Sequence, residues 1–309
     1  MMRQAGRYQA SYRRLAERYP SFRQRSETTE LIVEISLQPW DSFAPDGVIL
    51  FSDILTPLPA LGLPFEIDDG RGPIIQDPIR HTDQLSALHA LDVDKVRFTG
   101  DALCTLRASL PGEVAVLGFV GCPWTVATYA VEGGSSSTYK VIKSMRYSNP
   151  ALLTQLLDVL ADQIAEYAIY QASSGADFEW LIWSKPFIER LVRQFKAVHP
   201  TVPLCLYCFG AGGLLELLPG CGADVVGVDW TVDMADARRR LGPRQAVQGN
   251  VDPSVLFGPP AAIEAAVDAC VADAGPRGHI LNLGHGVMVG TPEESVAYMF
   301  ELSKRPVWA

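Results

Sequence analysis

Short apolar runs recur along this chain, each followed by helix-forming sequence or a Gly-rich turn, and that alternation limits the fold more than anything else. Gly47-Val48-Ile49-Leu50-Phe51 is apolar on both faces, as a strand inside a parallel sheet has to be. Runs of the same kind occupy 114–119, 203–207, 224–228, 245–248 and 279–283. Strand and helix alternating over most of 309 residues predict a parallel sheet with helices outside it. The length is within range for one α/β barrel, read here as a single domain over 1–309.

A barrel of this class needs eight strands, and six are clear. One more is expected to lead into Arg3, cut short where the chain begins at Met1. The other belongs between the helix ending near 173 and the run at 203. The sequence there reads Gly175-Ala176-Asp177-Phe178-Glu179-Trp180-Leu181-Ile182-Trp183-Ser184-Lys185-Pro186. Phe178, Trp180 and Ile182 alternate with Glu179, Leu181 and Trp183, so 178–183 is expected to be drawn in as a makeshift strand. A crossover between parallel strands takes a dozen or more residues. The span is therefore too short for strand, loop and return together. The expected fold is an incomplete or distorted (β/α)8 TIM-type barrel, distorted or open between the Gly175 region and the 203 strand.

Other segments are simpler. Tyr12, Leu15, Ala16 and Tyr19 can share one helical face. A helix from about 29 should end at Pro39-Trp40, and 62–73 reads as a Gly/Pro-rich loop. Leu152, Leu156, Leu160, Ile164 and Ala168 mark a helix over about 149–173. No Gly-x-Gly-x-x-Gly follows a strand and no Lys-Ser/Thr phosphate loop occurs, so nucleotide-binding folds gain no support.

A net charge of -9 argues against nucleic acid as a partner. It leaves room for an anionic small molecule, because charges beyond about 8 Å are screened and a local arginine cluster can dominate. The six cysteines include the pair Cys205 and Cys208, but nothing at zinc spacing accompanies them. They read as core thiols of a reducing compartment. No apolar run reaches membrane-spanning length.

Four places invite a chemical reading. Arg3 and Arg7 are four apart in Met2-Arg3-Gln4-Ala5-Gly6-Arg7-Tyr8, so two guanidinium forks can face one carboxylate or phosphate; paired terminal arginines are more often a solvated face. Asp53 follows a buried strand in Ser52-Asp53-Ile54-Leu55-Thr56-Pro57. Barrel enzymes collect catalytic groups at that end, although a turn aspartate would look the same. Tyr129 follows the next strand, where a core tyrosine with a satisfied hydroxyl is the bland reading. His285 is the only histidine at a strand's C-terminal end, inside Gly284-His285-Gly286, where a turn could also demand φ > 0.

The opening motif is similar to the N-terminal signature of the uroporphyrinogen decarboxylase family. The resemblance continues at Leu50-Phe51-Ser52-Asp53-Ile54-Leu55, at Pro123-Trp124-Thr125 with Thr128-Tyr129, and at Val131-Glu132-Gly133-Gly134. It resumes at Gly227-Val228-Asp229-Trp230-Thr231, Gln248-Gly249-Asn250-Val251-Asp252-Pro253 and Leu281-Asn282-Leu283-Gly284-His285-Gly286. Trp230-Thr231-Val232-Asp233-Met234-Ala235-Asp236 resembles the plastid and cyanobacterial branch. That branch implies the plastid stroma in a plastid-bearing organism and the cytoplasm otherwise.

The resemblance implies a cofactor-free, metal-free lyase of haem and chlorophyll synthesis. It would turn the four acetates of uroporphyrinogen III into methyls, giving coproporphyrinogen III. It implies a homodimer with facing clefts. It places substrate contacts at Arg3, Gln4, Arg7, Asp53, Tyr129 and His285, with Asp53 and Tyr129 closest to the chemistry. Two departures stand out. The family has a segment before the opening motif, and a Phe-Asp-Ser-Trp-Gly-Gly type of stretch whose serine reaches the substrate. Here Asp177 runs almost directly into Trp183-Ser184-Lys185-Pro186, so a strand, its loop and that serine are expected to be missing. Two rivals follow. One is an inactive or impaired homologue kept for its fold or as a dimer partner. The other is a zinc-dependent methyltransferase of the same superfamily, for which the His-x-Cys ligand pair is absent at His279 and His285.

Overall fold

The structure is a computed structural model that describes residues 2–3, 6–68, 72–176, 179–181 and 185–305, with backbone alone for Met2–Arg3 and Glu179–Leu181. Ten strands follow in chain order: β1 Met2–Arg3, β2 Gly47–Ile49, β3 Glu66–Asp68, β4 Gly72–Ile74, β5 Ala115–Leu117, β6 Glu179–Leu181, β7 Leu204–Tyr207, β8 Val225–Gly227, β9 Ala246–Val251 and β10 His279–Leu283. β3 and β4 form an antiparallel hairpin within the loop expected over 62–73. The other eight are parallel, in two sheets ordered β1-β2-β5 and β10-β9-β8-β7-β6. Helices connect successive parallel strands, the longest being Pro150–Ser173.

The two sheets enclose one interior. Ile49 and Leu117 from the first sheet pack with Cys205 and Val225 from the second, and Ala115, Phe119, Ala246 and Ile280 join them. Alternate residues of the same strands, Val48, Leu50 and Val116, face outward against helices. That period of two, with both faces buried, is the physical reason the strands read as continuous apolar runs. The fold is an α/β barrel of TIM type, with Cys205 and Cys208 in its core.

The expected strand leading into Arg3 is present as two residues paired with Gly47 and Val48. The segment expected as a makeshift strand does pair: Glu179, Trp180 and Leu181 lie in register with Leu204, Cys205 and Leu206. Of the two outcomes expected between that segment and the 203 strand, the open gap is not found, because backbone groups at a bare edge cost more than a short ladder does; the recruited strand is short, at three described residues. Among the described residues, no ladder joins β5 to β6 or β10 to β1. Phe178, Ile182, Trp183 and Ser184 lie outside the described residues.

A correction concerns the helix expected to stop at Pro39-Trp40, which runs from Thr29 to Phe43 with Pro39 inside it. A proline there forfeits one helical hydrogen bond. The extra turn places Phe43 against Phe300, with ring centroids 5.2 Å apart, and against Tyr8 at 6.4 Å. Aromatic packing of this kind offsets the lost bond.

Candidate active site

Asp53 sits four residues beyond the end of β2, in a turn that its own side chain closes. Its Oδ1 accepts the Leu55 N–H at 2.7 Å, and Thr56 Oγ1 accepts the Asp53 N–H at 3.2 Å. This is an Asx-type turn, which fixes the carboxylate without help from distant residues. Burial holds the Asp53 carboxyl above the usual aspartate range, and the Leu55 N–H opposes that shift.

Tyr129 lies in the helix Pro123–Glu132, whose first residue is a proline and whose last turn closes on Gly133 at φ 88°. The loop after β5 packs tightly on the Asp53 turn. A Cβ added to Gly121 would come within 3.2 Å of the Ile54 carbonyl oxygen. Burial raises the Tyr129 pKa, a hydrogen bond from Ser135 lowers it, and the Asp53 and Tyr139 charges raise it. The phenol therefore keeps its proton at neutral pH and serves as a hydrogen-bond donor. Ser135 belongs to the loop that follows. Gly134 ties that loop to the hairpin through a bridge to Ile74.

His285 follows β10 beside an aromatic cluster. Phe209 and Trp230 lie nearly parallel to it, with centroids 5.4 and 5.5 Å from the imidazole and interplanar angles of 10° and 13°. Tyr207 lies behind at 6.2 Å, its hydroxyl donating to the Gly284 carbonyl at 2.8 Å. Gly284 has to be glycine, since a Cβ there would fall 2.3 Å from the Trp230 nitrogen. Partial burial among these rings lowers the His285 pKa, against the pull of Asp229. The imidazole is thus neutral at pH 7, a hydrogen-bond donor and not a third cation.

An open cleft of about 420 Å³ reaches Tyr129 and Phe209, while Asp53 and His285 are not among its lining residues. Tyr129, Ser135 and Tyr139 line one side, and Phe209, Gly210 and Leu214 the other. Arg7 is exposed on the turn that follows β1, and its carbonyl accepts a hydrogen bond from Arg13. Arg3 is in β1, next to β2, and Gln4 lies outside the described residues. The structure thus sets the Asp53 turn against the segment leading into the Tyr129 helix and lines up His285 beside Phe209. It records no ion pair between Arg7 and Asp53 among the described residues.

Three residues of the site escaped the sequence reading. Ser135 was one of three serines in a glycine-rich loop, with nothing to single it out. Phe209 was an aromatic in a turn, between Cys208 and Gly210. Asp229 stood inside a quoted motif without a role, yet it is 2% exposed and caps two backbone N–H groups.

Comparison with known proteins places this geometry. The family described as Uroporphyrinogen decarboxylase (URO-D) matches residues 1–306. The chain is 57% identical to uroporphyrinogen decarboxylase 1, chloroplastic, of Oryza sativa subsp. japonica, over 98% of this chain and 79% of that protein. It is 51% identical to uroporphyrinogen decarboxylase of Synechocystis sp., over 99% of this chain and 91% of the relative. The first alignment spans 318 positions, more than the chain's own 309 residues, so the relative carries residues that this chain lacks. Among solved structures, a methyltransferase from Methanosarcina mazei superposes with a TM-score of 0.73 at 20% identity, covering 89% of this chain and 85% of that one. A B12-independent methionine synthase from Shewanella sp. W3-18-1 gives 0.56 at 12%, covering 89% and 84%. At those identities the likeness extends to the fold alone. A match across nearly every residue, with more than half of them identical, settles the kinship: the chain belongs to the uroporphyrinogen decarboxylase family.

Proposed function

We propose that this chain decarboxylates the four acetate side chains of uroporphyrinogen III to methyls, giving coproporphyrinogen III. What supports the reading is a half-buried carboxylate, Asp53, in a turn packed on the segment that leads into the Tyr129 helix, and a protonated phenol, Tyr129, lining the cleft, in a chain of this family. Carbon dioxide leaves only if the electrons it abandons have somewhere to go. A pyrrole supplies its own sink by taking a proton on a ring carbon and becoming a cation. The protein then needs an anion beside the ring nitrogens and donors for the carboxylates that stay.

Asp53 is suited to the first task. One oxygen is held by Leu55, and the other makes no hydrogen bond among the described residues. It is the oxygen available for pyrrole N–H groups. An ion pair about 4 Å apart is worth roughly 4 kcal/mol at an effective dielectric of 20, about a thousandfold in rate if felt only in the transition state. Burial strengthens the pair by removing competing water. Tyr129 donates to an acetate and orients it. Arg3, Arg7 and Gln4 anchor carboxylates that do not react. Gripping the departing one would stabilise the ground state, since carbon dioxide is neutral. His285, uncharged, adds a hydrogen bond to a side-chain carboxylate. The proton for the new methyl comes from a water or from Tyr129, both easier acids than arginine.

Purified chain supplied with uroporphyrinogen III tests this directly, with product read as tetramethylated porphyrin after oxidation. Absence of product from folded protein would refute the reading. We also infer a homodimer with facing clefts, in a plastid or cyanobacterial setting like that of the relatives. Sedimentation at micromolar concentration should give twice the 33.7 kDa chain mass, and a monomer would count against it.

A further inference from the structure

We propose that Phe209 is a ring-binding residue: its aromatic face seats one pyrrole of the substrate and stabilises that ring when it becomes a cation. The proposal rests on the decarboxylase reading above. Phe209 is 58% exposed, although the residues just before it in the chain, Leu204 to Cys208, are all buried. An exposed phenylalanine is held in place here. Its ring lies 5.2 Å from Trp230 at 23° and 5.4 Å from His285 at 10°. The next residue, Gly210, is fixed by its N–H bonding to Asp229 at 2.8 Å. Four strand ends contribute: Tyr207 and Phe209 from β7, Asp229 and Trp230 from β8, and His285 from β10, with Tyr129 across the cleft beyond β5.

A rigid, flat, solvent-facing π surface beside a mostly apolar cleft with Tyr129 and Ser135 among its polar groups suits a flat apolar ring whose substituents are charged. A pyrrole carrying acetate and propionate has that character. Its carboxylates would reach toward Tyr129 across the cleft while its ring lies on Phe209. An aromatic face attracts a cation more strongly than a neutral ring. The contact therefore tightens as the ring is protonated, and it contributes to kcat more than to binding.

The test compares Phe209→Leu, which keeps apolar bulk and loses the π face, with Phe209→Trp, which restores one. Two readouts are used: steady-state turnover of uroporphyrinogen III, and equilibrium binding of flat, oxidised uroporphyrin followed by its absorption band. The expected result for Phe209→Leu is a kcat lower by about 3- to 30-fold with KM within about twofold, and weaker porphyrin binding. Phe209→Trp should recover most of both. A kcat for Phe209→Leu within twofold of the parent overturns the proposal, as does a Phe209→Trp variant as impaired as Phe209→Leu. If the parent turns nothing over, the decarboxylase reading fails by itself. The ring seat then stands only if porphyrin binding still depends on an aromatic at 209, and falls if it does not.

Discussion

The carboxylate of Asp229 accepts the backbone N–H of Gly210 through Oδ2 at 2.8 Å, across the gap between two neighbouring strand ends. Its Oδ1 accepts the Thr231 N–H at the same distance, and the Thr231 hydroxyl as well. Asn250 braces the same turn by donating to the Asp229 and Val232 carbonyls. One buried side chain thus locks the loop bearing Phe209 to the turn bearing Trp230, and both rings flank His285.

Removing that lock should be costly. Asp229→Ala removes the acceptor of two backbone N–H groups on exposed residues, so the cost is set by the lost loop anchoring and lies near the low end of the roughly 1 to 3 kcal/mol a buried group would incur. A lower Tm and a raised KM are expected together, because the aromatic wall loses its fixed spacing. Asp229→Asn, which keeps an acceptor for one N–H, should fall between parent and alanine. An Asp229→Ala variant with unchanged Tm would show that the loop is held by other contacts.

Asp53 ties pH to both activity and stability. Its folded pKa is raised by burial, so the native state favours the neutral carboxyl. The stability contributed by that group is full below the unfolded pKa and is lost as pH rises through the folded one. At neutral pH, Asp53→Asn should therefore melt no lower than the parent, since a neutral isostere avoids burying charge. The advantage should vanish near pH 3, where both forms are neutral. Activity runs the other way: the acid limb of kcat/KM in the parent should lie above the ordinary aspartate pKa of about 3.9. Melting curves and a pH–rate profile check both signs.

Much of this could be read from residues alone, and the failures have causes. The alternating strands were visible because each parallel strand is buried on two faces and has to be apolar throughout. Asp53, Tyr129 and His285 were visible because strand ends and their turns are marked by position. Pro39 misled, because the compensating contact of Phe43 with Phe300 joins residues far apart in sequence. Ser135 and Phe209 were hidden for a related reason. Their roles come from Tyr129 and from the ring cluster, which only the folded arrangement of the strands brings near them. Within the 178–183 segment, Glu179–Leu181 pairs as a recruited strand, as expected. The position of the unpaired flank was not legible, because pairing to β7 depends on which neighbour is nearer in space.

Arg7 is exposed, and the proposed function gives it a carboxylate to anchor. Arg7→Lys keeps the charge and loses the two-pronged fork that matches a carboxylate. A KM higher by roughly tenfold is expected, about 1.4 kcal/mol, with Tm unchanged because the side chain is in solvent. Unchanged KM and kcat would remove Arg7 from the site.

The most direct test of the central claim is turnover of uroporphyrinogen III by the purified parent chain beside Asp53→Ala. The parent should yield coproporphyrinogen III, and Asp53→Ala should lose about a thousandfold in rate while its melting curve stays close to the parent's. A folded parent that forms no product, or an Asp53→Ala variant that turns over at near-parental rate, would contradict the assignment.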